Sequence, residues 1–277
     1  MDIFKLKEHG TDVKTELIAG STTFMAMLYI VPVNAFILSA SGMPYAALVT
    51  ATIAMTVFAS LLSGLWANTP IAMSVGMGLN AYFSFGLVKG RGIPWQSALG
   101  VVFLSGILYI LISITPIRRW LIETIPMGIK RAVSAGIGAF IAFIALEQTK
   151  IIVSDSATLV HLGNFKDAHV QLALFGLVVA IFFTLKKVKG AFIITIFLTS
   201  LVAWLFGMLS LPESLVSLPA SMEPIMFQLD ISSAFSLALL PVIFIFLLTD
   251  LFDTLGTLSG VGMRAKLFEN EEGSVAL

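Results

Sequence analysis

Eight stretches of about twenty predominantly apolar residues follow one another along this chain, near 17–39, 45–65, 70–88, 95–115, 127–146, 169–185, 190–209 and 234–258. A hydrocarbon layer of roughly 30 Å takes about 20 residues of helix to cross, so each stretch reads as a membrane span. The runs are continuous rather than alternating, which favours helices over barrel strands. The expected fold is an all-α, polytopic helical bundle of about eight spans. Of the 277 residues, 58% are hydrophobic and only 12% charged, about half the charged share of a soluble domain. That composition excludes a soluble enzyme and a disordered chain. The formal net charge is zero, so no basic surface is available for nucleic acid. The longest polar interruptions, 147–168 and 210–233, leave no room for a water-soluble domain. The first reads as a surface loop, the second as a loop with a short interfacial helix.

Cationic residues set the expected orientation. With the N-terminus inside, cytoplasmic segments hold twelve Lys and Arg (Lys5, Lys7, Lys14, Arg118, Arg119, Lys130, Arg131, Lys186, Lys187, Lys189, Arg264 and Lys266). External segments hold four: Lys89, Arg91, Lys150 and Lys166. Both ends of the chain are therefore expected in the cytoplasm, with the protein in the plasma (inner) membrane. The first sixteen residues carry seven charges ahead of a full-length apolar run, unlike a cleavable signal. Segment 116–131, with four cations, reads as an amphipathic link along the inner face or as an ordinary cytoplasmic loop. The chain has no cysteine, and His9, His161 and His169 are scattered. Neither a metal cluster nor a nucleophile–base pair is expected, so the protein is not expected to be an enzyme and no cofactor is expected.

The third stretch is unusual. Between Pro70 and Lys89 it holds Gly76, Gly78 and Gly86, with a polar Asn80 in the middle. IAMSV (71–75) is short and bounded by Pro70 and Gly76, so an extended piece followed by a half-helix from about Gly78 is expected. A short span broken by Gly and Pro is a pointer to a transporter binding site. It is also what a closely packed, small-residue helix looks like.

Acids inside apolar segments are rarer still. Asp250 and Asp253 lie in PVIFIFLLTDLFDTLGTL, 241–258. A carboxylate at the bilayer centre costs roughly 2.5–3.5 kcal/mol even on an insertion scale. Two of them need a partner, a proton or a cavity, and no Lys or Arg lies inside a span, beyond Lys130 and Arg131 at the cytoplasmic edge of the fifth, to pair with them. At i and i+3 they share one helix face. Burial and a neighbouring like charge both favour the neutral carboxyl, which makes the pair a candidate proton carrier. Asn80 can both donate and accept, as a purine or pyrimidine edge requires. Alternatively it joins helices. Thr22, Thr23 and Phe24 in the first span are weaker candidates. Phe24 offers a ring to stack on a flat ligand, although phenylalanine in such helices most often only packs. Asn34, after Pro32, is polar in an apolar run but is not counted among the candidates.

Three runs carry a resemblance. TELIAGSTTFMAMLYIVPVN (15–34), VGMGLNAYFSFG (75–86) and LLTDLFDTLGTLSGVG (247–262) resemble the first, third and eighth spans of the purine permeases of the nucleobase:cation symporter superfamily. The branch is the AzgA-like group of guanine, hypoxanthine and adenine permeases. The resemblance implies fourteen spans in two inverted seven-span repeats, with the third span a short strand and then a half-helix. It implies core-domain spans one to four over 1–116 and gate-domain spans five to seven over 117–210. An external loop, the eighth span and a cytoplasmic end then follow over 211–277. It makes Asn80 and its neighbour Gly78 substrate-site residues, Asp250 the carboxylate that hydrogen-bonds the purine, and Asp253 the second acid of the transport cycle. The chain ends at Leu277, so the resemblance implies the N-terminal portion of a permease, without the second repeat. The expected activity is secondary transport of a purine nucleobase, with a proton as the coupling ion. Expected partners are that base, membrane lipids and, as in related folds, a homodimer. Rivals are a carrier of the same fold for xanthine or uracil, and a non-transporting fragment or assembly partner.

Overall fold

The computed structural model describes residues 4, 6, 10–69, 71–116, 124, 127–156, 158–188, 190–210 and 217–264, with side chains except in parts of 127–137 and beyond Thr254. The first helix, α1 (Val13–Met27), starts where Asp12 Oδ1 accepts from the Thr15 amide at 2.7 Å, an N-cap that satisfies one free N–H. The helical path is interrupted at Leu28 and Tyr29 and resumes as α2 (Ile30–Ser39). Pro32 sits in the first turn of α2, where its missing N–H costs little. A turn with Gly42 at φ +97° leads into α3 (Tyr45–Leu65). Residues 71–76 are not helical, and helix returns as α4 (Met77–Ala81), running directly into a π-helical segment, Tyr82–Lys89. Then come α5 (Trp95–Ser113), α6 (Met127–Gln148), strands β1 (Ile152–Asp155) and β2 (Leu159–Leu162), α7 (Ala168–Leu185), α8 (Ala191–Leu205), α9 (Ile231–Ala234) and α10 (Leu240–Arg264).

The expectation of about eight spans, and with it one seven-span repeat plus one, is corrected to four. Among the described residues, helices long and apolar enough to cross a membrane are Val13–Ser39 (α1 with α2), Tyr45–Leu65, Trp95–Ser113 and Ala168–Leu185. The other stretches are not among these helices of the described residues. The third stretch is split into a five-residue helix and an eight-residue π segment. Of α6, the apolar helix among the described residues is Gly138–Gln148, shorter than a span. With 15 residues, α8 rises only about 22 Å. In the last stretch, helix begins at Leu240 rather than 234, and its side chains are described only as far as Thr254. Residues 71–76 form no strand ladder, so the expected short strand is instead an irregular segment. Loop 147–168 holds the one sheet among the described residues, an antiparallel hairpin pairing Ile152 with Leu162 and Asp155 with Leu159. Most of the amphipathic segment 116–131 lies outside the described residues.

The chain divides into two units. The first comprises 1–33, 52–74 and 141–220. Here α8 packs on α7 and on α1, with the Tyr29 and Phe192 rings 5.4 Å apart. A row of hydroxyls on α3 holds the irregular segment. Ser63 Oγ donates to the Ile71 carbonyl at 2.8 Å and lies 2.8 Å from Thr69 Oγ1. Ser60 Oγ donates to the Met73 carbonyl at 2.9 Å and accepts from the Met73 amide at 3.1 Å. Thr56 Oγ1 lies 3.0 Å from Ser74 Oγ. These bonds replace the ladder that a non-helical stretch among apolar spans would otherwise lack.

The second unit comprises 34–51, 75–140 and 221–277. Its core joins Phe83 and Leu87 of the π segment, Ala98 and Val101 of α5, and Val242, Ile243 and Phe246 of α10. The short helix α9 is held on α5: the Asp230 amide donates to the Gln96 carbonyl at 3.0 Å, and the Asp230 carbonyl lies against Gly100, where a side chain would collide with it. Asp230 also caps α9, its Oδ1 accepting from the Ser232 hydroxyl at 2.7 Å and the Ser233 amide at 3.1 Å. Hydrogen bonds from Ser233 first, and then from Ser232, lower its pKa from 3.8 to about 2. A depressed carboxyl pKa adds stability that is complete above the ordinary value and disappears as pH falls through the depressed one. The stabilising effect of this cap is therefore expected to persist down to pH 3.8 and to fade towards pH 2. Melting curves of the wild type and Asp230→Ala should converge across that window. Curves that stay equally far apart at both ends would refute the assignment.

Candidate functional site

The polar residues singled out from the sequence lie mainly on α4 and α10, both in the second unit. Gly76 precedes α4 with φ −80° and ψ 94°, the extended-to-helical switch expected of a residue that ends an irregular stretch. The Asn80 amide closes the first turn onto the Gly76 carbonyl at 3.1 Å. Asn80 and Gly78 are half-buried.

Along α10, Val242, Phe246, Asp250 and Asp253 are spaced i, i+4, i+8 and i+11 and form one stripe. Its apolar half is in the core. Phe246 meets Tyr82 of the π segment, with ring centroids 5.4 Å apart and planes tilted by 45°. Its polar half runs on past α4: a methyl group at Gly76 would lie 3.6 Å from Asp253 Oδ2. Going from 246 to 253 on one helix therefore corresponds to going from 82 back to 76 on the other. The two segments run in opposite directions, and Asp250 lies level with Gly78–Asn80. Asp250 is half-buried and Asp253 exposed. The sequence-selected Asn80, Gly78, Asp250 and Asp253 are thus brought to one stretch of helix–helix contact. A side chain at Gly76 larger than alanine would displace the Asp253 carboxylate.

Phe24 belongs to the first unit, where its side chain is 60% exposed on α1. The hydroxyls of Thr22 and Thr23 donate to the carbonyls of Ile18 and Ala19, so these bonds are spent within α1. One residue set aside in the sequence stands beside the candidates. Asn34, 1% exposed on α2, accepts from Asn80 Nδ2 at 2.6 Å. Its only sequence signal was a lone amide in a ten-residue apolar helix. Among the described residues no group of three or more His, Cys, Asp or Glu could hold a metal ion. What the arrangement offers is a carboxamide and a carboxylate on adjacent elements, suited to hydrogen-bonding a polar ligand rather than to covalent chemistry.

Known proteins resemble the chain over nearly its whole length. The permease family matches residues 14–274. A permease of Methanocaldococcus jannaschii is 45% identical over 97% of this chain and 62% of its own length. The adenine permease AdeP of Escherichia coli is 38% identical over 97% of this chain and 60% of its own. The guanine/hypoxanthine permease PbuO of Bacillus subtilis is 42% identical over 98% and 64%. The chain thus spans about three fifths of the length of the curated relatives it matches. Given that match and four apolar helices of spanning length, the chain is an integral membrane protein and belongs to the permease family, among the nucleobase:cation symporters related to AzgA-type guanine, hypoxanthine and adenine permeases.

Proposed function

We propose that this chain carries the base-binding part of a purine nucleobase transporter for hypoxanthine, guanine or adenine, driven by proton symport. The observation that carries the reading is the level pairing of Asp250 on α10 with Gly78–Asn80 on α4, fixed by the Phe246–Tyr82 and Asp253–Gly76 contacts. The names of the relatives, an adenine permease and a guanine/hypoxanthine permease, support the substrate class. A purine presents adjacent donors and acceptors on its edges. The Asn80 carboxamide can meet both kinds, and the Asp250 carboxylate accepts from a ring N–H or an exocyclic amine. Gly78, with no side chain, leaves the ring room beside them. Asp250 and Asp253, two acids one turn apart in an apolar segment, couple proton occupancy to the base. A site built to hydrogen-bond its ligand rejects analogues that lack the group. Binding of labelled hypoxanthine to the purified chain in lipid nanodiscs, competed by guanine, adenine and uracil, tests the class. Competition by uracil alone would move the assignment to pyrimidines.

The proposed location is the plasma membrane, with both ends cytoplasmic. The support is the cationic flanks of the first and last of the four spans, Lys5 and Lys7 ahead of Val13 and Lys186 and Lys187 after Leu185. The chain has no cysteine, so single cysteines report cleanly. Lys166→Cys is expected to react with an impermeant maleimide in intact cells and Lys186→Cys only after permeabilisation. The reverse pattern would invert the topology.

A further inference from the structure

We propose that Asn34 is a positioning residue for the base-binding site, fixing the orientation of the Asn80 carboxamide; this rests on the purine reading above. Asn34 is the one amide in α2, whose other residues are Ile30, Val31, Pro32, Val33, Ala35, Phe36, Ile37, Leu38 and Ser39. At 1% exposure it is a buried polar group in an apolar helix, which is costly unless hydrogen-bonded. Its Oδ1 accepts from Asn80 Nδ2 at 2.6 Å, across 46 residues of sequence.

The consequence falls on Asn80. A carboxamide has two N–H donors and one oxygen with two lone pairs, and it can present either end to a ligand. The bond to Asn34 occupies one donor and distinguishes nitrogen from oxygen. Asn80 is left with Oδ1 and a single N–H, in a fixed order. That pair is complementary to a purine edge with a donor next to an acceptor: the ring N–H beside the 6-oxo group of hypoxanthine or guanine, or the 6-amino group beside a ring nitrogen in adenine. Both helices that carry the two amides begin just after a break in the chain, α2 after Leu28–Tyr29 and α4 after 71–76. The bond therefore links two helices that each follow an interruption, at the candidate site. An amide free to turn over would present the wrong order to the base for part of the time, and fixing it beforehand removes that cost.

The test compares Kd for hypoxanthine and for unsubstituted purine, which lacks the 6-oxo group and its neighbouring N–H. The full chain is used in nanodiscs, with folding checked by size exclusion and melting. Asn34→Leu is expected to raise the hypoxanthine Kd about tenfold while moving the purine Kd little, so the ratio between the two narrows. Asn34→Asp, which keeps an acceptor at the same place, should restore most of the hypoxanthine affinity. Asn34→Ala, which adds no bulk, carries the same expectation as Asn34→Leu if that variant does not fold. Equal changes in both Kd values, or none, would overturn the proposal, since a bond that only joins helices would not favour one base edge. A wild-type chain that binds neither base would instead bring down the purine reading, and this inference with it.

Discussion

Asp250→Ala is expected to raise the Kd for hypoxanthine roughly 10- to 150-fold. A hydrogen bond to a charged group contributes about 1.5–3 kcal/mol, and each 1.4 kcal/mol is about a factor of ten. The placement of Asp250 supports the upper half of that range. It lies level with Gly78–Asn80 because Phe246 meets Tyr82 on one side of it and Asp253 meets Gly76 on the other. On the proposed reading, a ligand hydrogen-bonded to Asn80 has this carboxylate within reach. Stability should move the opposite way. An acid in an apolar segment costs folding free energy, so Asp250→Ala is expected to melt at or above the wild-type temperature while binding is lost. Asp253, exposed and beside Gly76 rather than Asn80, gives a contrast: Asp253→Asn should leave Kd within about threefold and alter its pH dependence. Direct binding in nanodiscs, together with melting curves, measures all of this. If Asp250→Ala binds as the wild type does, or loses binding only because it unfolds, the carboxylate does not hold the base.

The polar residues that α4 and α10 carry were legible because charge and amide groups are conspicuous in apolar sequence. Asn80, Asp250 and Asp253 each break a run in which a polar group needs a reason. The interruption before α4 was legible for a similar reason, since Pro70 and Gly76 bracket five residues. Helix length was not. An apolar run shows that a segment can be buried in lipid or protein, but not where its helix stops. Thus α8 ends at Leu205, ahead of Gly207 at φ +69°, although the apolar run continues to Leu209. Asn34 escaped because its partner is 46 residues away, and nothing in a lone amide tells which distant group it will meet. The hydroxyl row on α3 escaped for a different reason. Serine and threonine in apolar helices commonly bond their own i−4 carbonyl, as Thr22 and Thr23 do here. The sequence does not say which hydroxyls turn outward.

Ser60 is where that outward turn matters most. It gives Met73 both bonds that a neighbouring strand would give, donating to its carbonyl and accepting from its amide. The match is geometric. From Thr56 to Ser63 the helix rises roughly 10.5 Å, and from Ile71 to Ser74 an extended chain advances roughly 10 Å. Hydroxyls at 56, 60 and 63 can therefore serve 74, 73 and 71 in turn, with the two segments running in opposite directions. Ser60→Ala leaves an N–H and a carbonyl unpaired together. At about 1–3 kcal/mol for each unmade bond, the expected loss is roughly 2–6 kcal/mol, in surroundings where little water is available to replace the lost bonds. Thr56→Val removes only a hydroxyl-to-hydroxyl bond and is expected to cost about 1 kcal/mol. Ser60→Thr, which keeps the hydroxyl, should cost less than Ser60→Ala. Unfolding of the three variants in detergent, followed by circular dichroism, ranks them. The double role of Ser60 requires Ser60→Ala to be the least stable by a clear margin. Equal losses for Ser60→Ala and Thr56→Val would mean that packing, rather than this pair of bonds, keeps residues 71–74 out of a helix.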